Sequence, residues 1–210
     1  MDIAKQILIV GGGAGGIATA TSLLKRDRSL DITIIEPSDD HYYQPGWTMV
    51  GAGIFSKEDT RRDTLSVWPS GVTRIKGEVE KFEPAKNLVK LSDGSSIKYE
   101  TLVVACGLKL DWDSIEGLNE ALGKNGVTSN YRYDLAPYTW KLVQEMKGKE
   151  AIFTQPAMPI KCAGAPQKAM YLSCDHWLRN NQLSDMNVSF CNAGPVLFGC
   201  APYVLSLIHI

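Results

Sequence analysis

At 210 residues, 44% hydrophobic and 21% charged, with a formal net charge of −1, the sequence has the make-up of an ordinary folded chain of one large or two small domains. Near-neutral charge without basic runs excludes the electrostatic footprint of nucleic-acid binding, so no nucleic-acid partner is expected. No apolar stretch approaches the ~18–20 residues that cross a bilayer. The first strand begins within a few residues of Met1, which reads as a cytosolic start or a start lacking its leader.

Lys5–Val10 (KQILIV) is a short, mostly apolar run that predicts a buried strand, and Gly11–Gly16 (GGGAGG) follows at once. Ala14–Lys25 has helical composition, with Ile17, Leu23 and Leu24 as sheet-facing positions. Asp31–Ile35 (DITII) predicts the next parallel strand, ending at Glu36 and completing a βαβ unit. The loop 41–53 then carries Tyr42, Tyr43 and Trp47, an aromatic cluster that suits a core or a cofactor wall equally, and His41, which reads as a structural hydrogen-bonding residue. From Thr73 to Glu100, short extended runs around an Asp93-Gly94 turn predict a small antiparallel β insert. Thr101–Ala105 (TLVVA) predicts another buried strand, ending at Cys106-Gly107. Residues 108–134 read as loop and Leu135–Lys147 as helix. A second α/β series follows: a strand at 150–154, a turn, a helix at 169–179, and a strand at Asn187–Phe190. The expected fold class is α/β, a Rossmann-like domain with an antiparallel β insert plus the start of a second Rossmann-like domain. Its domains are expected at 1–134 (insert about 73–100) and 135–204, with 205–210 outside both.

Gly11-x-Gly13-x-x-Gly16 follows a strand, opens a helix, and is followed by Glu36 at the next strand end, the context that makes this motif a dinucleotide fingerprint. Gly11 allows the sharp turn, Gly13 lacks the Cβ that would block a pyrophosphate, and Gly16 lets helix and sheet approach. Free N–H groups at the positive helix end then bind the phosphates. Glu36 can accept hydrogen bonds from the ribose hydroxyls, and its charge disfavours a 2′-phosphate, hence NADP. Tyr99–Gly107 (YETLVVACG) resembles the second flavin-binding signature of two-dinucleotide-domain flavoproteins, and this points to FAD. Those proteins mostly have Thr at Cys106, whose small side chain here suits packing beside the flavin.

The five cysteines, Cys106, Cys162, Cys174, Cys191 and Cys200, form no C-x-x-C pair, and with His41, His176 and His209 they form no zinc spacing, so no metal is expected. Cys162 alone stands just before a predicted helix with Lys161 adjacent and Lys168 nearby, surroundings that favour a thiolate. Its segment, PIKCAGAPQK (159–168), occupies the turn where a second glycine fingerprint would stand. A buried packing cysteine is the other reading of Cys162 from context alone. Cys174, in a helix body, reads as packing, as do Cys191 and Cys200.

Taken together, residues 36–53, YETLVVACG and MPIKCAGAPQKAMYL (158–172) resemble the sulfide:quinone oxidoreductases of bacteria and mitochondria, over about residues 5–204. The resemblance implies that Ala14, Gly15, Glu36, Gln44 and Val79 contact FAD, that Ala105 and Gly107 line the flavin, and that Lys168 lies near it. It implies that Cys162 holds sulfide-derived sulfur as a persulfide, with electrons passing through the flavin to a quinone. It also implies a second redox cysteine far downstream and a C-terminal region docked peripherally on a bacterial or mitochondrial inner membrane. On that pattern the chain is expected to be an N-terminal piece, with residues 205–210 outside the resemblance. Two alternatives stand beside it. A type II NADH dehydrogenase-like enzyme would need a second glycine fingerprint, which residues 155–168 lack. A non-catalytic FAD- or NAD-binding protein would have no use for Cys162.

Overall fold

The computed structural model describes residues 4–209. The chain forms two compact units, one made of Met1–Tyr43 and Arg61–Leu110, the other of Gln44–Thr60 and Asp111–Ile210.

The first unit is built on a six-stranded sheet. Strand β1 (Lys5–Val10) leads into helix α1 (Ala14–Arg26) and then β2 (Ile32–Ile35). A small antiparallel pair follows, β3 (Asp40–Tyr42) with β4 (Arg61–Asp63). The remaining strands are β5 (Val72–Ile75), β6 (Val79–Glu83), β7 (Leu88–Leu91) and β8 (Ser96–Val104). The sheet order is β5-β2-β1-β8-β7-β6.

Alternation along β1 and β2 divides the core between the two sheet faces, as a period of two requires. Ile7, Ile9, Ile32 and Ile34 are buried with Ala20 of α1, and Leu23 and Leu24 pack against them. Leu8, Val10 and Ile35 point the other way and are buried with Val89, Leu91 and Tyr99. Fully burying each such aliphatic side chain contributes roughly 1.5–3 kcal/mol, and this fixes the register of the sheet.

The stretch expected as a separate antiparallel insert is divided differently. Val72–Ile75 pairs in parallel with β2 and belongs to the main sheet. SIKYE and TLVV are one strand, β8, whose first half pairs antiparallel with β7 and whose second half runs parallel to β1. The Asp93-Gly94 turn joins β7 to β8 as expected, with Gly94 at φ +86° and the Asp93 carboxylate accepting the Ser95 N–H at 2.8 Å.

The second unit contains α2 (Trp47–Val50), α3 (Leu118–Ala121) and α4 (Ala136–Glu145). Strand β9 (Glu150–Gln155), helix α5 (Ala165–Arg179) and strand β10 (Asn187–Asn192) form a parallel β-α-β unit, followed by α6 (Ala201–His209). Trp177, 1% exposed, is buried with Val143 and Ala151, and its indole N–H donates to the Val143 carbonyl at 2.8 Å. Helix α5 begins four residues before the expected Ala169, because Pro166 falls in the first turn, where its missing N–H costs no helical hydrogen bond. Among the described residues no helix is long and apolar enough to cross a membrane.

Candidate functional site

In the first unit the carboxyl ends of the parallel strands converge on the glycine loop. Past the strand ends, the Gly11 N–H donates to the Ile35 carbonyl at 2.9 Å, the Ala105 N–H to Val10 at 2.8 Å, and the Glu36 N–H to Ile75 at 3.0 Å. These bonds place Gly11, Ala105 and Glu36 side by side at the sheet edge where doubly wound folds bind their ligands.

Each glycine of the fingerprint has a measurable reason. Gly11 adopts φ +103°, and a Cβ there would lie 2.4 Å from the Ala105 carbonyl oxygen. At Gly16 a Cβ would come within 1.9 Å of the Gly11 carbonyl oxygen, so glycine is what lets α1 start against β1. At Gly13 the same test meets nothing within 4 Å: the missing side chain faces open space. Gly13 is also the N-cap of α1, with no side-chain cap and no acidic residue in the first turn. The exposed N–H groups at Ala14 and Gly15 therefore meet a phosphate's requirements, positive partial charge and free donors. The residues fit a dinucleotide.

Glu36 is half-buried at the end of β2, its carboxylate accepting the Gly12 N–H and the Ser38 N–H, each at 2.7 Å. Two residues that sequence reasoning missed support Glu36, one at its carboxylate and one at its backbone. Gly12 packs directly against it, since a Cβ there would lie 2.8 Å from the Glu36 side chain and 3.0 Å from Trp68. The only sequence signal was the middle glycine of GGG. Arg74, on β5, donates to the Ser38 carbonyl at 2.7 Å, to the Glu36 carbonyl at 3.4 Å, and pairs with Asp39 at 3.0 Å. Its guanidinium also lies 5.8 Å from the Trp68 ring centroid. Lys76 and then Arg74 hold the Asp39 carboxyl below its usual range.

Val79 opens β6, with its side chain packed on the Leu8 and Val10 face of the core. Ala105 is half-buried beside the glycine loop and Gly107 lies exposed at φ +74°. The Cys106 thiol is exposed and points at the Val10 carbonyl, 3.7 Å away. Tyr42 and Tyr43 are exposed, 37% and 57%, so neither belongs to a core.

The remaining candidates are in the second unit. Gln44 is half-buried in a short 3-10 turn ahead of α2. Trp47, half-buried on α2, has the Tyr133 ring 6.2 Å away. Cys162 is exposed, and its carbonyl accepts the Ala165 N–H at 3.2 Å to turn the chain into α5. The N-cap of α5 is Gly164, with no side-chain cap and no acidic residue in the first turn, so the positive helix end is uncompensated near the thiol. Lys161 adjoins Cys162, and Lys168, exposed in the first turn of α5, donates its N–H to the Gly164 carbonyl at 2.9 Å. Cys174 packs in the core beside Trp177, where burial pushes its thiol up. Cys191 is exposed on β10, and Cys200 is half-buried just ahead of α6.

The family described as pyridine nucleotide-disulphide oxidoreductase matches residues 5–143, two thirds of the sequence. The chain belongs to that family. Its matched region is the family's Rossmann-type FAD-binding domain, in agreement with the glycine cradle and the parallel sheet. Within the family, the chain is 47% identical over 201 residues to the mitochondrial sulfide:quinone oxidoreductase of Dictyostelium discoideum, covering 94% of this chain and 44% of that protein. It is 40% identical over 205 residues to the mitochondrial sulfide:quinone oxidoreductase of Mus musculus, covering 98% and 46%. The crystal structure of the sulfide:quinone oxidoreductase from Aquifex aeolicus superposes with a TM-score of 0.75 at 25% identity, over 98% of this chain and 48% of that one. The chain thus spans a little under half the length of these relatives.

Proposed function

We propose that these residues are the flavin-binding and sulfur-handling part of a sulfide:quinone oxidoreductase. The observation that carries the reading is the exposed Cys162 beside Lys161 at the uncapped start of α5, in a strand-to-helix turn without a glycine fingerprint. A nicotinamide nucleotide has no cradle at that turn; a sulfur nucleophile has a target. The names of the similar proteins support the same substrates, sulfide and a quinone.

In this reading the N–H groups at Gly13, Ala14 and Gly15 hold the pyrophosphate of FAD, Gly11 and Gly16 shape the loop around it, and Glu36 receives the ribose. Val79, Ala105 and Gly107 complete the FAD site of the first unit, and Gln44 and Lys168 are further FAD contacts on the family resemblance alone. Bound there, FAD would accept the electron pair that sulfide oxidation releases and deliver it to a quinone. The Gly12 and Ser38 N–H groups hold the Glu36 carboxylate and Arg74 braces the Glu36 backbone, and the carboxylate's negative charge keeps out a 2′-phosphate.

The task of Cys162 is exchange. Hydrosulfide attacks the Cys162 sulfur of a disulfide-type bond; the new sulfur–sulfur bond forms as the old one breaks, leaving a persulfide on Cys162 and releasing the partner sulfur as thiolate. The uncapped start of α5 and the adjacent Lys161 put positive charge next to the residue at which that exchange takes place. The partner sulfur and the surface that meets quinone and membrane belong, on this reading, to residues outside these 210. The setting is then peripheral on a bacterial or mitochondrial inner membrane.

The test uses the protein expressed from its complete coding sequence and purified with its flavin. Anaerobic sulfide should bleach the flavin absorbance and a ubiquinone analogue should restore it, while Cys162→Ser keeps the flavin and loses the bleaching. Bleaching by NADH in place of sulfide would contradict the proposal, and a protein that binds no flavin would point to a nucleotide-sensing role.

A further inference from the structure

We propose that Tyr131 is a positioning residue for Cys162, holding the cysteine's carbonyl so that the turn before α5 presents its thiol outward. This rests on the reading of Cys162 as the sulfur-handling residue.

Tyr131 lies in the loop ahead of α4, where its N–H donates to Ser129 Oγ at 3.1 Å. From that anchored position its hydroxyl donates to the Cys162 carbonyl at 3.4 Å, across 31 residues of sequence. The same carbonyl accepts the Ala165 N–H at 3.2 Å. One oxygen therefore ties the cysteine's turn both to the helix it opens and to a separate loop. A second tie comes from the segment after β10. Gln167, 5% exposed in the first turn of α5, donates its side-chain amide to the Leu197 carbonyl, and the Phe198 ring lies 4.0 Å from where a Gly164 Cβ would stand. The turn is held at both ends while the thiol stays exposed.

The phenol is suited to this task by its own chemistry. Burial, and after it negative charge on Cys162, push the Tyr131 hydroxyl above its usual value. It keeps its proton through the range in which thiols ionise, so the donated hydrogen bond persists when the sulfur is anionic. A tyrosine that merely filled space would need no hydroxyl aimed at that carbonyl.

The experiment is timed alkylation of the intact protein with iodoacetamide at neutral pH, with each cysteine followed by peptide mass mapping. Cys191, exposed on β10, serves as the reference thiol. In the wild type Cys162 should react faster than Cys191. Tyr131→Phe and Tyr131→Ala should each slow Cys162 by about threefold to tenfold, the worth of one hydrogen bond, with Cys191 unchanged. Amide exchange at Ala165 should accelerate in Tyr131→Phe while β9 stays protected. Ser129→Ala, which frees the loop without touching ring or thiol, should give part of the same loss. Wild-type Cys162 kinetics in Tyr131→Phe would overturn the proposal, because the ring alone would then suffice. If wild-type Cys162 reacts no faster than Cys191, the reading of Cys162 itself fails and takes the positioning role with it.

Discussion

Two alanine substitutions in the glycine loop separate what the loop does for the fold from what it does for a ligand. Gly13 has φ −72°, which alanine adopts freely, and its Cβ would meet nothing within 4 Å. Gly13→Ala should therefore leave stability within about 1 kcal/mol of the wild type, the gain from a stiffer unfolded chain offsetting a slightly poorer N-cap. For a chain of 210 residues that is a melting shift of no more than about 2–4 °C. The added methyl nonetheless occupies the space a pyrophosphate needs, so FAD affinity should fall at least about tenfold, or about 1.4 kcal/mol. Gly16→Ala has the opposite character. Its Cβ would sit 1.9 Å from the Gly11 carbonyl oxygen and 3.3 Å from Ile9, so α1 must move off β1. Overpacking of that kind costs about 1–3 kcal/mol, which lowers the melting temperature by about 3–10 °C. Apoprotein titrated with FAD by flavin fluorescence, alongside thermal scans, gives both numbers for both variants. Wild-type FAD affinity in Gly13→Ala would refute the placement of the pyrophosphate. Loss of affinity only in step with lost stability would refute the separation of roles.

Other substitutions test the packing and electrostatics around the two sites. Trp177→Ala should destabilise the second unit by about 3–5 kcal/mol, and Trp177→Phe by about 1 kcal/mol for the lost hydrogen bond to Val143, both read as urea midpoints. Arg74→Met should cost the first unit about 1–3 kcal/mol and weaken FAD binding with it, because the Ser38 and Glu36 carbonyls lose their donor; unchanged binding would show that Glu36 needs no brace. Hydrogen bonds from Lys86 and then Lys90 hold the Glu83 carboxyl down at about 2. A carboxyl lowered in the folded state stabilises fully above its ordinary range and loses that contribution as the pH falls toward the folded value. The stability difference between wild type and Glu83→Gln should thus be constant above about pH 5 and vanish near about pH 2.

The first βαβ unit was legible because its signals are local: an apolar run, a glycine loop and an acidic strand end lie in consecutive order. Glu36 was legible as an acceptor, whereas its two braces were not. Gly12 occupies a position the fingerprint leaves free, and Arg74 reaches Ser38 across 36 residues. The extended runs of 72–104 were legible as strands, but their partners were not. Nothing local distinguishes Val72–Ile75, which joins β2 in parallel, from the antiparallel strands after it. The character of β8 changes near Thr101 because its neighbour changes from β7 to β1, and a change of neighbour reads in sequence as a break. Likewise APQK looks like a helix breaker, yet its proline sits in the first turn, where proline is tolerated. Cys162 was marked by the residues beside it, while Tyr131, 31 positions away, became visible only through its hydrogen bond.

The central claim is that sulfur enters at Cys162. Its most direct test is mass spectrometry of the cysteine peptides after a brief anaerobic exposure of the oxidised flavoprotein to sulfide and rapid trapping of thiols. The account predicts that the peptide carrying Cys162 gains the mass of one or more sulfur atoms, and that those carrying Cys106, Cys174, Cys191 and Cys200 do not. Added sulfur on any of those four with none on Cys162, or flavin reduction by sulfide with no added sulfur at Cys162, would contradict it.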